Sequence, residues 1–257
     1  MSVAGIMLVR DEADIIERVL DHAAAQVDYL MVMDNRSTDG TYEIVKAHPG
    51  VDFTLTDPEV GYYQSQKMTR LANSARKRGF KWVVPMDADE LWTVAEPWHE
   101  TETVAERLKR QAPNVQIVSA ALYDYLPPSG GIDGSHPLDA ITWRRIAPGA
   151  FPKVAARTHA TLTIHPGNHG ADYGNAPALT VPGLMVRHFT WRTPEQYLRK
   201  IRNGLEAYGA SDVPEMYGTH WRMWEGHDDE TILDHYRMWF TVEYPPNDEE
   251  LVYDPVK

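Results

Sequence analysis

The 257-residue sequence contains no cysteine, so disulfide bonds and thiolate metal sites are excluded. This absence fits a cytoplasmic protein. No stretch approaches the roughly 20 consecutive apolar residues that a membrane-spanning helix needs. The first residues, MSVAGIMLVRDE, lack the basic segment of a signal peptide and reach charges at Arg10 and Asp11. We therefore expect a cytoplasmic protein without a transmembrane segment.

Positive charge is also scarce, because 25 lysines and arginines face 37 aspartates and glutamates, a formal net charge of −12. Such a balance opposes a broad electrostatic grip on nucleic acid without excluding a local basic groove. Much of the excess lies between Glu225 and Asp254. The length suits one large or two small domains, and the composition, 43% hydrophobic and 24% charged, is typical of globular proteins.

The first third of the chain alternates strand patterns with helix patterns. Continuous apolar runs predict buried strands at 3–9, 29–33, 51–56 and 82–86. Between them, helices are predicted from an acidic first turn at 11–14, at 42–47 and at 62–77, the last stopped by Gly79. This alternation predicts a parallel sheet built from right-handed βαβ units.

The pattern changes after Trp92. A helix is predicted at 101–111, a strand at 115–122 and a breaker-rich, mobile loop at 127–134. Short strands are predicted at 141–145 and 160–164. A further helix is predicted to run to Gly209, with Thr193 as its N-cap, Pro194 in the first position and Gln196 closing a capping box.

Three acids end the fourth predicted strand: Asp87, Asp89 and Glu90. Ligands of open α/β sheets bind at this carboxyl edge. Neither aspartate has a basic neighbour in sequence, so the ionised acids would repel one another unless a positive group lies between them. A divalent cation is the simplest candidate, and Mg²⁺ and Mn²⁺ prefer such oxygen ligands. The alternative is a solvated acidic turn.

Four segments in order resemble the family 2 glycosyltransferases of the GT-A fold, in a bacterial subgroup. They are MLVRDEADII, VMDNRSTDGT, VVPMDADELW and RHFTWRTPEQYLRKIRNG, the last preceded by HPGNHG. The resemblance is strong over 3–92 and looser over 150–209. It departs from the family at Asp11, where asparagine is commoner.

The resemblance implies a GT-A fold, with a Rossmann-like, mostly parallel central sheet, a smaller acceptor-side subdomain and C-terminal helices. We expect a catalytic domain at 1–210, divided into a nucleotide-sugar half at 1–92 and an acceptor half at 93–210, followed by an acidic extension at 211–257. The implied activity is metal-dependent, inverting, hexosyltransferase-like transfer from a nucleotide-diphosphate sugar, with a UDP-sugar favoured, to a hydroxyl acceptor.

Donor contacts are expected at the strand ends. Asp34 is placed to accept from a base N–H, and Asp11 or Glu12 from the ribose or base, although an Asx turn explains Asp34 equally well. A basic group is expected to reach phosphate, or else to form a solvated stripe; it comprises Arg192, Arg199, Lys200 and Arg202.

The expected metal is Mn²⁺ or Mg²⁺, held by Asp87, Asp89 and His188. By resemblance, Asp89 is the surer direct ligand, whereas Asp87 tends towards the sugar or ribose. The metal would act as a Lewis acid on the leaving diphosphate. His188 has an alternative role as a packed core histidine.

The acceptor hydroxyl needs a base as the new bond forms. His169, on a turn expected to expose its side chain, is preferred because its ordinary pKa of about 6.5 lies near working pH. Asp172 is the second candidate, and His165 is the alternative histidine. Further contacts with donor or acceptor are expected from three residues: Lys153, Arg157 and Trp92.

Other classes of protein remain open. A sugar nucleotidyltransferase would need a glycine-rich loop after the first strand, and 9–12 contains no glycine. A non-catalytic carbohydrate- or nucleotide-binding protein would tolerate loss of the carboxylates. A phage-type glycosyltransferase acting on modified DNA bases is a third alternative, which the net charge opposes.

Overall fold

The computed structural model describes residues 2–97 and 101–256. The strands are β1 (Val3–Val9), β2 (Tyr29–Asp34), β3 (Phe53–Thr56), β4 (Trp82–Asp87), β5 (Glu90–Val94), β6 (Ile117–Leu126), β7 (Trp143–Arg145), β8 (Lys153–Arg157), β9 (Leu162–Ile164), β10 (Ala171–Tyr173), β11 (Thr180–His188) and β12 (Leu251–Tyr253). The helices are α1 (Ile16–Gln26), α2 (Thr41–Ala47), α3 (Gln64–Lys77), α4 (Val104–Lys109), α5 (Pro137–Ala140), α6 (Pro194–Gly209), α7 (Thr219–Arg222) and α8 (Asp229–Trp239).

The chain forms two compact units, and the first comprises 1–57, 64–123 and 148–188. Its central strand, β1, pairs in parallel with β2 on one side and with β4 on the other, and β3 extends the sheet beyond β2. Antiparallel β8 joins β4 to β6, and β11 pairs with β5. The predicted class, α/β with a mostly parallel central sheet flanked by helices, is confirmed.

The register of the parallel strands fixes the position of the candidate site. Val9 pairs with Asp34, and Leu8 pairs with Asp87. The carboxyl ends of β1, β2 and β4 therefore meet at one edge of the sheet, where such sheets bind ligands. The strands themselves are buried on both faces, as their continuous apolar runs predicted.

Helix α1 buries the predicted apolar face, with Ile16, Val19, Leu20 and Ala23 in the core. Its predicted acidic start is wrong. The helix begins at Ile16 after an N-cap at Ile15 that makes no side-chain cap hydrogen bond. The reason is that the residues before it bond to the loop after β2 instead, as described below.

Other helix boundaries lie closer to those predicted from the sequence. Helix α4 is shorter than predicted and starts from a capping box in which Thr103 and Glu106 bond to each other's backbone N–H. After α3, Gly79 lies in the left-handed region at φ 95°, as expected of the residue that ends a helix.

The second unit comprises 58–63, 124–147 and 189–257. In it β7 pairs with the end of β6 and with β12. Thr193 caps α6 as predicted, accepting a hydrogen bond from the Gln196 N–H, but the Gln196 carboxamide oxygen accepts from the N–H of Arg192 rather than closing the box on Thr193. A cluster of buried side chains packs α6 on α8: Tyr197, Ile201, Trp224, Ile232 and Tyr236.

Each unit draws on several stretches of the chain, whereas the sequence suggested contiguous divisions at residues 92 and 210. That division by function stays a prediction. The segment 127–134 contains neither helix nor strand, as its breakers predicted, and its mobility is untested. Among the described residues, no helix is both long and apolar enough to cross a membrane.

Candidate active site

The loops after β1 and β2 are bonded to each other. Asp11 adopts a left-handed conformation at φ 54°, and its N–H donates to the Ser37 hydroxyl at 3.0 Å. In return, Asp11 Oδ1 accepts from the Thr38 N–H at 2.6 Å. The Glu12 N–H donates to Thr41 Oγ1 at 2.8 Å. Side chains of the second loop thus satisfy the N–H groups that a helix start would have left unpaired, which explains the late start of α1.

Asp34, the last residue of β2, divides its two oxygens between two roles. Oδ1 accepts from the Ser37 N–H at 3.2 Å, which is the predicted Asx-type contact. Oδ2 is buried and has no hydrogen-bond partner among the described residues. Burial raises the pKa of Asp34, and the hydrogen bonds from Ser37 oppose that shift. A buried acceptor without a partner is costly, so this oxygen is suited to a ligand donor.

An ion pair that the sequence did not reveal lies next to this loop. Asp57, just after β3, lies 3.0 Å from Lys67 Nζ, and both side chains are buried. The Asp57 N–H donates to the Asp34 carbonyl at 2.8 Å. Asp57 comes directly after the parallel strand β3, and Asp34 is the last residue of β2, so the same strand-end rule would have placed Asp57 at this edge.

Lys153, the first residue of β8, is the centre of the charge network at the end of β4. Its ammonium donates to Asp87 Oδ2 at 2.5 Å and to the Gly167 carbonyl at 2.8 Å, and it lies 2.7 Å from Glu90 Oε1. The lysine side chain is only 4% exposed and that of Glu90 is fully buried. Three acceptors match the three donors of an ammonium group.

The position of Lys153 changes how the acids after β4 are interpreted, because the sequence suggested that they would repel one another without a bound cation. The positive group between the acids is this side chain, so repulsion between Asp87 and Glu90 is no longer evidence for a metal. Burial lowers the pKa of Lys153, but the carboxylates of Asp87 and Glu90 outweigh it and raise the pKa above its ordinary value. Burial raises the pKa of Glu90, and Lys153 opposes that shift.

Asp87 has further partners besides the lysine. Its Oδ1 accepts from the carboxamide of Asn168 at 2.9 Å and from that of Gln64 at 3.2 Å. Both amides were missed by sequence reasoning. The only signal for either is the turn-forming Pro-Gly-Asn that precedes His169.

Asp89 and His188 form the part of the predicted metal site that the structure brings together. Antiparallel pairing of β11 with β5 sets His188 opposite Glu90, and His188 Nε2 lies 3.7 Å from Asp89 Oδ1. Metal–ligand bonds of about 2.1 Å allow two ligands to be up to about 4.2 Å apart, so this pair fits one Mg²⁺ or Mn²⁺. Within 2–97 and 101–256, no set of three histidine or acidic side chains forms a metal site.

His169 lies on the turn after β9, where it is half-buried rather than exposed as predicted. Its Nδ1 lies 3.1 Å from the Pro152 carbonyl, so Nδ1 carries the proton and Nε2 is left as the basic nitrogen. The Phe151 ring lies 5.7 Å from the imidazole. Burial, followed by the charge of Lys153, lowers the pKa of His169.

The other two base candidates pair with each other. His165 Nε2 lies 2.8 Å from Asp172 Oδ2, and the Asp172 side chain is 65% exposed. Within the described part of the chain, this exposed pair makes no hydrogen bond to Lys153 or to the acids after β4. His169 is therefore the candidate base that shares a network with Asp87.

Two predicted contacts are wrong. Trp92 is fully buried, and its indole N–H donates to Glu90 Oε2 at 2.9 Å, so it does not face an acceptor. Arg157 donates to the Val115 carbonyl at 2.6 Å and lies over the Trp82 ring, so it supports the connection between α4 and β6.

In the second unit, Arg192 is buried, and its guanidinium donates to the Phe189 carbonyl at 2.8 Å. Arg202 pairs with Asp229 at 2.6 Å, and Lys200 lies over the Trp191 ring. A phosphate contact by this basic group stays a prediction.

These features define a class: an α/β protein with acids at the carboxyl edge of its parallel strands. Residues 6–118 match the family model described as glycosyl transferase family 2. The matched segment is slightly under half of the chain, and the resemblance to family 2 glycosyltransferases drawn from the sequence is confirmed. The match to this family supports the prediction that the protein is a transferase.

Solved structures similar to this chain include two of glucosyl-3-phosphoglycerate synthase from Mycobacterium tuberculosis. One, in complex with Mn²⁺, uridine diphosphate and phosphoglyceric acid, is 21% identical with a TM-score of 0.32, over 47% of this chain and 43% of that one. The other is 18% identical with a TM-score of 0.42, over 83% and 82%. This chain thus spans under half of the first structure's chain.

A third similar structure is described as mannose-1-phosphate geranyltransferase from Thermus thermophilus. It is 14% identical with a TM-score of 0.36, over 91% of this chain and 68% of that one. Among curated proteins no match was found.

Proposed function

We propose that this protein is a metal-dependent, inverting glycosyltransferase that moves a sugar from a nucleotide-diphosphate sugar, with a UDP-sugar favoured, to a hydroxyl acceptor. The observation that carries the proposal is the buried Oδ2 of Asp34, without a partner among the described residues, at the same sheet edge as the acids after β4. The family match over 6–118 supports it independently.

Donor binding is assigned to the loops after β1 and β2. Asp34 Oδ2 accepts from a base N–H, which satisfies a buried oxygen that the described residues leave without a partner. The bonds between Asp11 and Thr38 keep both loops in place before the donor arrives. Such preorganisation reduces the entropic cost of binding.

Asp89 and His188 would hold Mn²⁺ or Mg²⁺ together with donor phosphate and water. When bound, the ion supplies Lewis-acid neutralisation of the leaving diphosphate. Two protein ligands are enough for such an ion, because it usually completes its shell with water and substrate phosphates.

His169 acts as the general base. Nδ1 donates to the Pro152 carbonyl, which keeps the basic lone pair on Nε2. Nε2 takes the proton of the acceptor hydroxyl while the hydroxyl oxygen bonds to the anomeric carbon. The bond from that carbon to the diphosphate oxygen breaks on the opposite face, and the nucleoside diphosphate leaves with the electron pair.

The test is a panel of nucleotide sugars with Mn²⁺ and simple saccharide acceptors, scored by release of nucleoside diphosphate and by thermal shift with UDP or GDP. We expect one donor to give turnover, and Asp89→Ala to abolish it. Asp172→Ala is the matched control and retains turnover, because its carboxylate pairs with His165 at the surface. If diphosphates give no stabilisation and Asp89→Ala changes nothing, a non-catalytic binding protein is the better account.

A further inference from the structure

Lys153 contacts both the acids after β4 and the turn that carries His169. We propose that Lys153 is a positioning residue that locks this turn, residues 165–170, onto Asp87 and so fixes the base before any donor or metal binds. The inference rests on the proposed function for the role of His169, but the lock itself is a property of the free protein.

The turn has a backbone that needs to be held. Gly167 and Asn168 are both in the left-handed region, at φ 68° and 58°. For a residue with a side chain such as Asn168, this conformation is uncommon and persists only where surrounding contacts impose it. A Cβ at Gly167 would collide with the His169 ring, so the imidazole lies directly against this glycine.

Three bonds tie the turn to Asp87 or to groups that hold Asp87. The Gly167 carbonyl accepts from Lys153 at 2.8 Å, and the Gly167 N–H donates to Gln64 Oε1 at 2.6 Å. The Asn168 carboxamide donates to Asp87 Oδ1 at 2.9 Å. Since Lys153 and Gln64 also donate to Asp87, each side chain links the same carboxylate to the same turn.

The residues just before Lys153 hold the imidazole from its other side. The Pro152 carbonyl accepts from His169 Nδ1, and the Phe151 ring packs against the imidazole. The segment 151–153 therefore fixes the backbone of the turn, the orientation of the ring and the tautomer of His169. A displacement of Lys153 would disturb all three.

An ammonium group suits this role better than a bound ion does. It is part of the chain, is nearly fully buried, donates to Asp87 and Gly167 and forms an ion pair with Glu90, so it is in place at any metal concentration. Loss of Asp89 or His188 should therefore weaken donor binding while the turn keeps its structure.

The experiment uses Lys153→Met combined with Glu90→Gln, which removes the ammonium without leaving a buried glutamate charge unpaired. Hydrogen exchange of the turn amides is measured in the free protein, and kcat, donor KM and affinity for UDP with Mn²⁺ are measured alongside. We expect at least a tenfold faster exchange of the Gly167 N–H, a kcat lower by about 10- to 100-fold, as for other supporting partners, and donor affinity within about twofold. The control is Lys109→Met, which breaks a partly exposed ion pair with Asp28. It should leave the amide exchange, kcat, donor KM and UDP affinity unchanged.

Gln64→Ala is the second variant, because it removes one link of the network without changing its charge. It should speed exchange of the Gly167 N–H and lower kcat in the same direction. Unchanged exchange in both variants, or donor affinity that falls in parallel with kcat, would overturn the proposal. If the parent protein transfers no sugar from any donor, the proposed function fails, yet the exchange measurement still decides whether Lys153 locks the turn.

Discussion

Two regions at the same sheet edge differ in how many hydrogen bonds the protein donates to their carboxylates. In the loops after β1 and β2, Asp34 is buried, with a raised pKa and one oxygen that has no partner among the described residues. At the end of β4, Asp87 accepts from Lys153, Gln64 and Asn168 and is held on both oxygens. The Asp34 carboxylate is suited to receive a ligand, and the Asp87 carboxylate is suited to hold the structure of the protein itself.

The largest expected effect is on stability, and it distinguishes the buried ion pairs of Lys153 from the partly exposed ion pair of Lys109. Lys153→Met should lower the free energy of unfolding by about 3–5 kcal/mol, because it leaves the buried carboxylate of Glu90 and the partly buried one of Asp87 without their cation. Lys109→Met should cost less than about 1 kcal/mol, since its pair with Asp28 is one-third exposed. Denaturant unfolding of both variants measures this, and equal losses would mean that the network of Lys153 has no special role in stability.

The next effect distinguishes two histidines of the same turn. His169→Ala should lower kcat by about 10²- to 10⁴-fold, the usual contribution of a general base, with donor affinity retained. His165→Ala should leave kcat nearly unchanged, because it removes only an exposed pair with Asp172. Steady-state kinetics and donor titration measure this; if donor binding is lost along with turnover, His169 is a ligand of the donor and not the base.

A smaller effect is expected in the region that receives the ligand. Asp34→Ala should weaken UDP binding by about 10- to 100-fold, since a hydrogen bond to a charged group contributes about 1.5–3 kcal/mol. The measurement is a UDP titration in the presence of Mn²⁺. Asp172→Ala serves as the control, and equal affinities for both variants would show that the open oxygen of Asp34 does not contact the nucleotide.

The smallest effect is a shift in pH dependence. Only neutral His169 accepts a proton, and burial, followed by the charge of Lys153, lowers its pKa from the ordinary 6.5. Activity should therefore persist as pH falls through 6.5 and decline only below that value. A profile of kcat/KM against pH reports the free enzyme. An acid limb centred above 6.5 would contradict the assigned environment.

The contrast between the two regions also explains what the sequence revealed. Asp34 is the last residue of the apolar strand β2, and Asp89 lies two residues after the end of β4, so a local pattern and the rule for strand ends were sufficient to find them. Lys153 lies 66 residues from Asp87 and reaches it only because β8 pairs antiparallel with β4. No periodicity in the chain indicates that pairing, so the sequence did not reveal the ammonium group that lies between Asp87 and Glu90.

Burial explains the remaining differences between the predictions made from the sequence and the structure. Trp92 was expected to face the acceptor because it follows the acids, yet β5 pairs with β11 and is buried along its whole length. The turn-forming sequence Gly-Asn-His-Gly around His169 suggested an exposed side chain. Its side chain is half-buried because Phe151 and Pro152 pack against it, and these contacts come from a segment that lies elsewhere in the sequence.

The most direct test of the account is a calorimetric titration of UDP into the parent protein and into Asp89→Ala, each with and without Mn²⁺. The account predicts that the parent protein binds UDP tightly only with Mn²⁺ and that Asp89→Ala binds weakly under both conditions. If UDP binds equally well with and without the metal, and equally well to the variant, then Asp89 and His188 do not hold an ion against the diphosphate.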